Sequence, residues 1–368
     1  MNPELTKSEI ESRLRQTDPG ELEKLWQTAD RVRREHVGDA VHLRGLLEIS
    51  NYCRRWCTYC GLSRHNRSLP RYRMTAEEIL DAARQIAAFG YGTVVLQAGE
   101  DDGIEAVWLA DIIRTIKQTT PLAVTLSLGE RSLEELRLWR QAGADRYLLR
   151  FETSDPELFR LIHPPLGGQT LSRIDILRQL RSLGYEVGSG VMVGIPGQTY
   201  RSLAEDIDLF RQLDLDMIGV GPYIPHPHTP LGEGRIKPSV SPAEQVPNTE
   251  EMTYKVMALT RLVCPEANIP STTALATINR ESGRELGLQR GANIVMPNCT
   301  PPHYRQLYEI YPGKACINET AQACQSCLAQ RIRSIGRTIG TGPGCRHRRT
   351  PPCDAQSESA AARSAPNR

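Results

Sequence analysis

From Val41 onward the chain alternates short apolar runs with longer amphipathic stretches, and that alternation leaves few folds open. An apolar run followed each time by a helical stretch builds βα units, whose strands lie parallel in one sheet covered by helices. The runs are Val41 to Ile49, Thr93 to Leu96, Leu122 to Leu126, Asp145 to Leu149, Glu186 to Met192, Met217 to Val220, Asn268 to Ser271 and Asn293 to Met296. Eight such units predict an α/β fold, a closed (βα)8 TIM barrel over residues 41–335. Pro270 makes the seventh strand the weakest, because proline removes a ladder donor. Thr75 with Glu78, Ser132 with Glu135 and Ser154 with Glu157 have the spacing of capping boxes and mark helix starts. Residues 1–40 read as a helical lead-in packed through Leu14, Leu22, Leu25 and Trp26. Residues 336–368, rich in Gly, Pro, Arg, Ser and Ala, are expected to be disordered.

In such a barrel the chemistry lies at the carboxyl ends of the strands. The first of these ends is Asn51-Tyr-Cys53-Arg-Arg-Trp-Cys57-Thr-Tyr59-Cys60-Gly-Leu, with the spacing Cys-x3-Cys-x2-Cys. Three thiolates on one loop are one ligand short of closing a 4Fe-4S cluster, which leaves one iron open to a non-protein ligand. The alternatives are a buried disulfide or a zinc knuckle, for which His65 is the only local fourth ligand. The opening Met-Asn-Pro-Glu-Leu-Thr-Lys lacks the basic and apolar regions of a signal peptide, so reduced thiols and a cytoplasmic location are expected. The 45 Lys+Arg against 43 Asp+Glu give a net charge of only +2, which predicts no broad attraction to nucleic acid or anionic lipid. No apolar run is long enough to span a membrane.

The other strand ends carry polar residues in an ordered way. Strand two ends Gln97-Ala98-Gly99-Glu100, strand three Thr125-Leu-Ser127, and strand four Arg150-Phe-Glu152. Residues two apart on a strand share a face, so Arg150 and Glu152 are expected to point together into the barrel mouth. Arg173 follows as a second arginine candidate, and the glycine-rich fifth strand around Met192 permits close approach of a cofactor.

The cysteine loop, with Tyr59 before its last cysteine, resembles the radical S-adenosylmethionine (radical SAM) superfamily. Further blocks narrow that resemblance: Arg71-Tyr-Arg-Met74-Thr, Val124-Thr-Leu-Ser-Leu-Gly-Glu130, Ala142-Gly-Ala-Asp-Arg-Tyr-Leu-Leu-Arg150, Gly221-Pro-Tyr-Ile-Pro-His-Pro227 and Met296-Pro-Asn298. Together they are similar to the HydE family of FeFe-hydrogenase maturases, from about Leu43 to Cys327, with methylornithine synthase and biotin synthase as the next relatives. The resemblance implies a 4Fe-4S cluster on Cys53, Cys57 and Cys60, with the amino and carboxylate groups of SAM on the open iron. It implies SAM contacts among Tyr59, Gly99, Glu100, Ser127, Arg150, Glu152, Arg173 and Met192, and a substrate cavity lined by Thr125, Thr272, Thr273 and Tyr311. The implied substrate is a small organometallic iron-carbonyl-cyanide-cysteine precursor, supplied by the partner maturase HydG, whose cysteine sulfur a 5′-deoxyadenosyl radical attacks. The implied partners are the other hydrogenase maturases and an electron donor such as ferredoxin or flavodoxin. Cys316, Cys324 and Cys327 correspond to an accessory 2Fe-2S or 4Fe-4S cluster that some members carry, and Cys345 and Cys353 read as passengers.

Two rival functions follow from the same residues. One is another small-molecule radical SAM enzyme, such as a methylornithine-synthase-like mutase. The other is a non-catalytic iron-sulfur scaffold, which would close its cluster with four ligands and have no use for a SAM-contact set.

Overall fold

The computed structural model of the chain describes residues 5–346, apart from 168–171, 239 and 318. Strands β1 (Ala40–Ser50), β2 (Thr93–Ala98), β3 (Ala123–Ser127), β4 (Arg146–Leu148), β5 (Glu186–Val193) and β6 (Met217–Pro222) pair in parallel in sequence order, and β7 (Ile294–Val295) returns to the free edge of β1. Helices cover the outer face of the sheet, so β1 is buried without interruption from Leu43 to Ser50. Between β6 and β7 runs the segment 268–270, in which Asn268 pairs with Met217 and Pro270 with Ile294. The Ile218 N–H donates to the Asn268 carbonyl and the Ser271 N–H to that of Ile294, both at 2.9 Å. The barrel is therefore closed, and its seventh member is reduced to isolated bridges where Pro270 offers no N–H.

The lead-in forms helices Lys7–Arg15 and Pro19–Val37, which pack on helices Tyr200–Gln212 and Glu250–Val263. Leu14, Leu22, Leu25 and Trp26 are all buried there. The capping boxes at Thr75 and Ser132 form as read, but the third is corrected. Asp155 is the cap in place of Ser154, accepting from the N–H groups of Glu157 (2.9 Å) and Leu158 (3.1 Å), with Pro156 opening the helix.

The expected disorder from Gly336 is also corrected, for the residues up to 346. Strand β8 (Thr338–Ile339) pairs with Ala40 and Val41, and the chain then crosses the amino-terminal floor of the barrel. There Arg44 donates to the Gly344 carbonyl (2.9 Å), Arg146 and Thr93 to that of Pro343 (both 3.1 Å), and Asn268 to Gly344 (3.0 Å). Composition showed that the segment makes no core of its own; what orders it is the need of buried arginines for acceptors. Cys345 lies at this floor with its sulfur 3.1 Å from Arg146 Nη2, while Cys353 lies outside the described residues. Among the described residues no helix is long and apolar enough to cross a membrane.

Ending the chain after Ile335 removes the acceptors of four buried donors, each worth about 1 to 3 kcal/mol when left unsatisfied. Urea unfolding should show a loss of at least about 2 kcal/mol; an unchanged midpoint and slope would make the segment dispensable to the barrel.

Candidate functional site

At the carboxyl end of β1 the chain enters the cysteine loop, and two side chains set the loop's shape. Arg71 donates to the carbonyls of Asn51 (2.6 Å), Leu62 (2.9 Å), Ser63 (3.1 Å) and Asn66 (3.1 Å). Asn51 reaches the carbonyls of Pro70 and Leu307, each at 2.8 Å. Gly99 lies directly against the loop: a Cβ there would sit 2.2 Å from the Tyr52 carbonyl oxygen and 2.8 Å from Cys53 Cβ. His65, the local fourth ligand for zinc, packs edge-on against Trp56 with ring centroids 4.9 Å apart.

Cys57 is buried, and Cys53 and Cys60 are half-buried. Burial pushes all three thiols up, Cys60 to about 12. Ionised Cys53 and Cys60 would push Cys57 further, and Cys53 does the same to Cys60, while Arg71 works against the shift at Cys53 and Cys60 and Arg173 at Cys57. Thiols whose ionisation burial opposes, and two of which feel the charge of their neighbours, form a donor set that a shared cationic centre relieves. The three side chains fit a cluster held by three cysteines.

Inside the barrel mouth is a cavity of about 310 Å³. Tyr59, Cys60, Ser127, Arg150, Glu152, Met192, Thr272, Thr273 and Tyr311 all line it, gathered from across the chain as read from the sequence. Arg150 and Glu152 arrive by a different route from the one strand parity gives. Strand β4 ends at Leu148, and Glu152 has a left-handed backbone with φ of 62°. That conformation costs a non-glycine residue about 1 to 2 kcal/mol, and the Glu152 N–H to Gly190 carbonyl bond (3.0 Å) holds it in place. Arg150 Nε stands 3.2 Å from Glu152 Oε2, out of line for a hydrogen bond, and neither atom has another partner.

Of three further site candidates, one lies deeper and two face elsewhere. Thr125 lies two residues before Ser127 on β3, one layer deeper, with a buried hydroxyl that has no hydrogen-bond partner. Glu100 and Arg173 turn under the cysteine loop into a buried ionic network. Arg173 reaches Glu130 (2.9 Å), Glu100 (3.3 Å) and the Arg150 carbonyl (2.6 Å). Arg55 pairs with both Glu100 and Glu130. His163 completes the group, 3.1 Å from Glu130 through Nε2 and 3.0 Å from Cys57 Sγ through Nδ1. Burial opposes ionisation of Glu130, but a hydrogen bond from His163 when Nε2 carries the ring proton, and the guanidiniums of Arg173 and Arg55, hold its carboxyl below the usual carboxylate range. Burial and then Arg173 push the His163 imidazole down to about 4, so it is neutral at pH 7. Glu100, Glu130 and His163 have the spacing of a metal triad, yet both carboxylates already carry guanidiniums.

Sequence reasoning missed Glu48 and Lys314, a buried ion pair in the cavity wall, with Glu48 also accepting from Asn298 at 3.0 Å. No local signal marks two residues 266 positions apart. Of the second cysteine group, Cys316 has a φ of 60° and its sulfur lies 3.4 Å from Arg284 Nη2, and Cys327 is exposed on helix Ala321–Ser334. The Cys324 side chain lies outside what the structure describes, and neither Cys316 nor Cys327 lines the cavity.

Comparison with known proteins now decides the family. Residues 47–210 match the radical SAM superfamily. The chain is 46% identical over 345 residues to the [FeFe] hydrogenase maturase subunit HydE of Thermotoga maritima, covering 94% of this chain and 95% of that protein. The chain belongs to the radical SAM superfamily, in the HydE family. It is also 28% identical to the 3-methylornithine synthase of Methanosarcina barkeri, over 79% of each chain. A crystal structure of methylornithine synthase superposes with a TM-score of 0.75 at 25% identity, over 92% of this chain and 95% of that one. The chain is thus a radical SAM enzyme of the hydrogenase-maturase type, and the closed barrel is the fold of its relatives.

Because Arg71 ties four loop carbonyls, Arg71→Gln should loosen the cysteine loop without emptying the core. Loss of an outer-shell partner weakens metal retention about 10- to 100-fold, and iron removal from reconstituted protein by a chelator measures it. Iron retained as in the parent would show that the loop holds its shape without Arg71.

Proposed function

We propose that the chain acts in the assembly of the FeFe-hydrogenase active site, on a small iron-carbonyl-cyanide-cysteine compound supplied by a partner maturase. The observation that carries this reading is the cavity that begins at Cys60 and runs past Arg150 and Glu152 to neutral hydroxyls, in a chain so close to HydE. When bound, a 4Fe-4S cluster on Cys53, Cys57 and Cys60 supplies the electron that cleaves SAM to methionine and the 5′-deoxyadenosyl radical.

The residues divide the remaining work. The Glu152 carboxylate, with Oε2 unbonded, accepts from the ribose hydroxyls of SAM, and Arg150 offers its fork to the carboxylate of SAM. Ser127, Tyr59 and Met192 complete the wall of the SAM site, and Gly99 brings backbone close beside Cys53. Arg173 and Glu100 act from beneath the loop, holding it without entering the cavity. Thr272, Thr273 and Tyr311 present hydroxyls that hydrogen-bond cyanide nitrogen or a carboxylate without adding charge, and Thr125 extends that lining one layer down. The 5′-deoxyadenosyl radical that SAM supplies would bond through its 5′ carbon to the cysteine sulfur of the substrate, the unpaired electron passing to the iron–sulfur unit of that compound. The electron comes from a ferredoxin or flavodoxin in the cytoplasm, and Cys316, Cys324 and Cys327 hold an accessory cluster that maturation does not require.

Activation of apo-hydrogenase with the partner maturases tests the substrate: protein that cleaves SAM yet supports no activation belongs to the mutase reading. Glu152→Gln should bind SAM about ten- to a hundred-fold more weakly, the worth of a hydrogen bond to a charged group, with iron content intact. Equal SAM affinity by titration would leave Glu152 as the partner of Arg150 alone.

A further inference from the structure

We propose that His163 donates a hydrogen bond from Nδ1–H to the sulfur of Cys57 and so raises the reduction potential of the cluster that this sulfur holds. The inference rests on the reading of Cys53, Cys57 and Cys60 as cluster ligands.

Backbone, and not a mobile side chain, sets the approach of the two residues. The Thr58 N–H, next to Cys57, donates to the carbonyl of Ile162, next to His163, at 2.9 Å. The Thr58 hydroxyl adds a bond to the Leu161 carbonyl at 3.2 Å. With the chains so tied, the imidazole stands with Nδ1 3.0 Å from Cys57 Sγ, and both residues are buried.

The direction of the bond follows from counting donors. A ligating cysteine has lost its S–H, so an unprotonated Nδ1 would set a nitrogen lone pair against a thiolate. A proton on Nδ1 turns that repulsion into a charge-assisted bond. The other ring nitrogen can give up its proton because Arg173 Nη2 stands 3.1 Å from Nε2 and donates to it. Glu130, also near Nε2, needs no proton from the histidine, since Arg173 Nε at 2.9 Å and Arg55 already serve it. The ring thus passes the field of a buried guanidinium to the sulfur. Hydrogen bonds to cluster sulfurs favour the reduced, more negative state, and outer-shell donors of this kind also orient the ligand. His163 is therefore a positioning and tuning residue, outside the cavity that takes SAM and substrate.

The test uses the full chain with its cluster reconstituted, in the absence of SAM. In His163→Phe, an EPR-monitored redox titration should show the one-electron equilibrium displaced about tenfold toward the oxidised cluster, a potential about 59 mV more negative. His163→Gln, whose amide N–H can replace the donor, should recover part of that shift. A second measurement needs no variant. With ¹⁵N-histidine in the parent, ENDOR of the reduced cluster should show one ¹⁵N coupling and one exchangeable proton that disappears in D2O. An unchanged potential in cluster-loaded His163→Phe, or no histidine coupling in the parent, overturns the proposal, and the parent spectrum alone decides if the variant loads no cluster. A parent that assembles no 4Fe-4S cluster would instead overturn the reading of the cysteine loop beneath it.

Discussion

Three thiols, one buried and two half-buried, repel one another once ionised, and the barrel mouth is arranged around the cationic centre that would relieve them. Arg71 fixes the loop from outside through four carbonyls, and Gly99 lets β2 press against it from the side. Beneath the loop two guanidiniums and two carboxylates balance in charge, so the neutral His163 can touch Cys57 without adding a net charge to the site. Buried ion pairs gain little stability for the desolvation they require. Their use here is geometric: the pairs bind the segments just after β2 and β3 to the loop and to helix Arg173–Ser182.

The two ends of the barrel solve opposite problems. At the mouth, Arg150 and Glu152 line the cavity with Nε and Oε2 in an ion pair but without a hydrogen bond, in a backbone held left-handed at Glu152. Such sites are stable because surrounding structure over-determines them, and they are where ligands take up the missing bonds. At the floor, Arg44 and Arg146 are equally buried, but the carbonyls of Pro343 and Gly344 cover them.

What could be read from the sequence depended on how local the cause was. Strands β1 to β6 were legible because their apolar runs are long enough to stand out, and the reduced pairing at 268–270 was foreshadowed by Pro270. Arg150 and Glu152 were found together at the mouth although the strand ends before them, since the backbone turn at Glu152 restores what parity does not give. The inward turn of Glu100 and Arg173 was not legible, because it depends on Arg55, Glu130 and His163, partners set by the barrel and not by spacing. The ordered floor segment escaped for the same reason: composition describes what a segment can bury by itself, not which buried donors elsewhere need its carbonyls.

The central claim is that the cluster on Cys53, Cys57 and Cys60 has an open iron facing the cavity. The most direct measurement is the EPR spectrum of the reduced, reconstituted protein before and after SAM is added, with Cys316, Cys324 and Cys327 replaced by serine so that one cluster remains. The account predicts that SAM changes the g-values of that cluster, because a ligand has entered its coordination sphere. A spectrum indifferent to saturating SAM would mean a cluster closed by four protein ligands, and would contradict it.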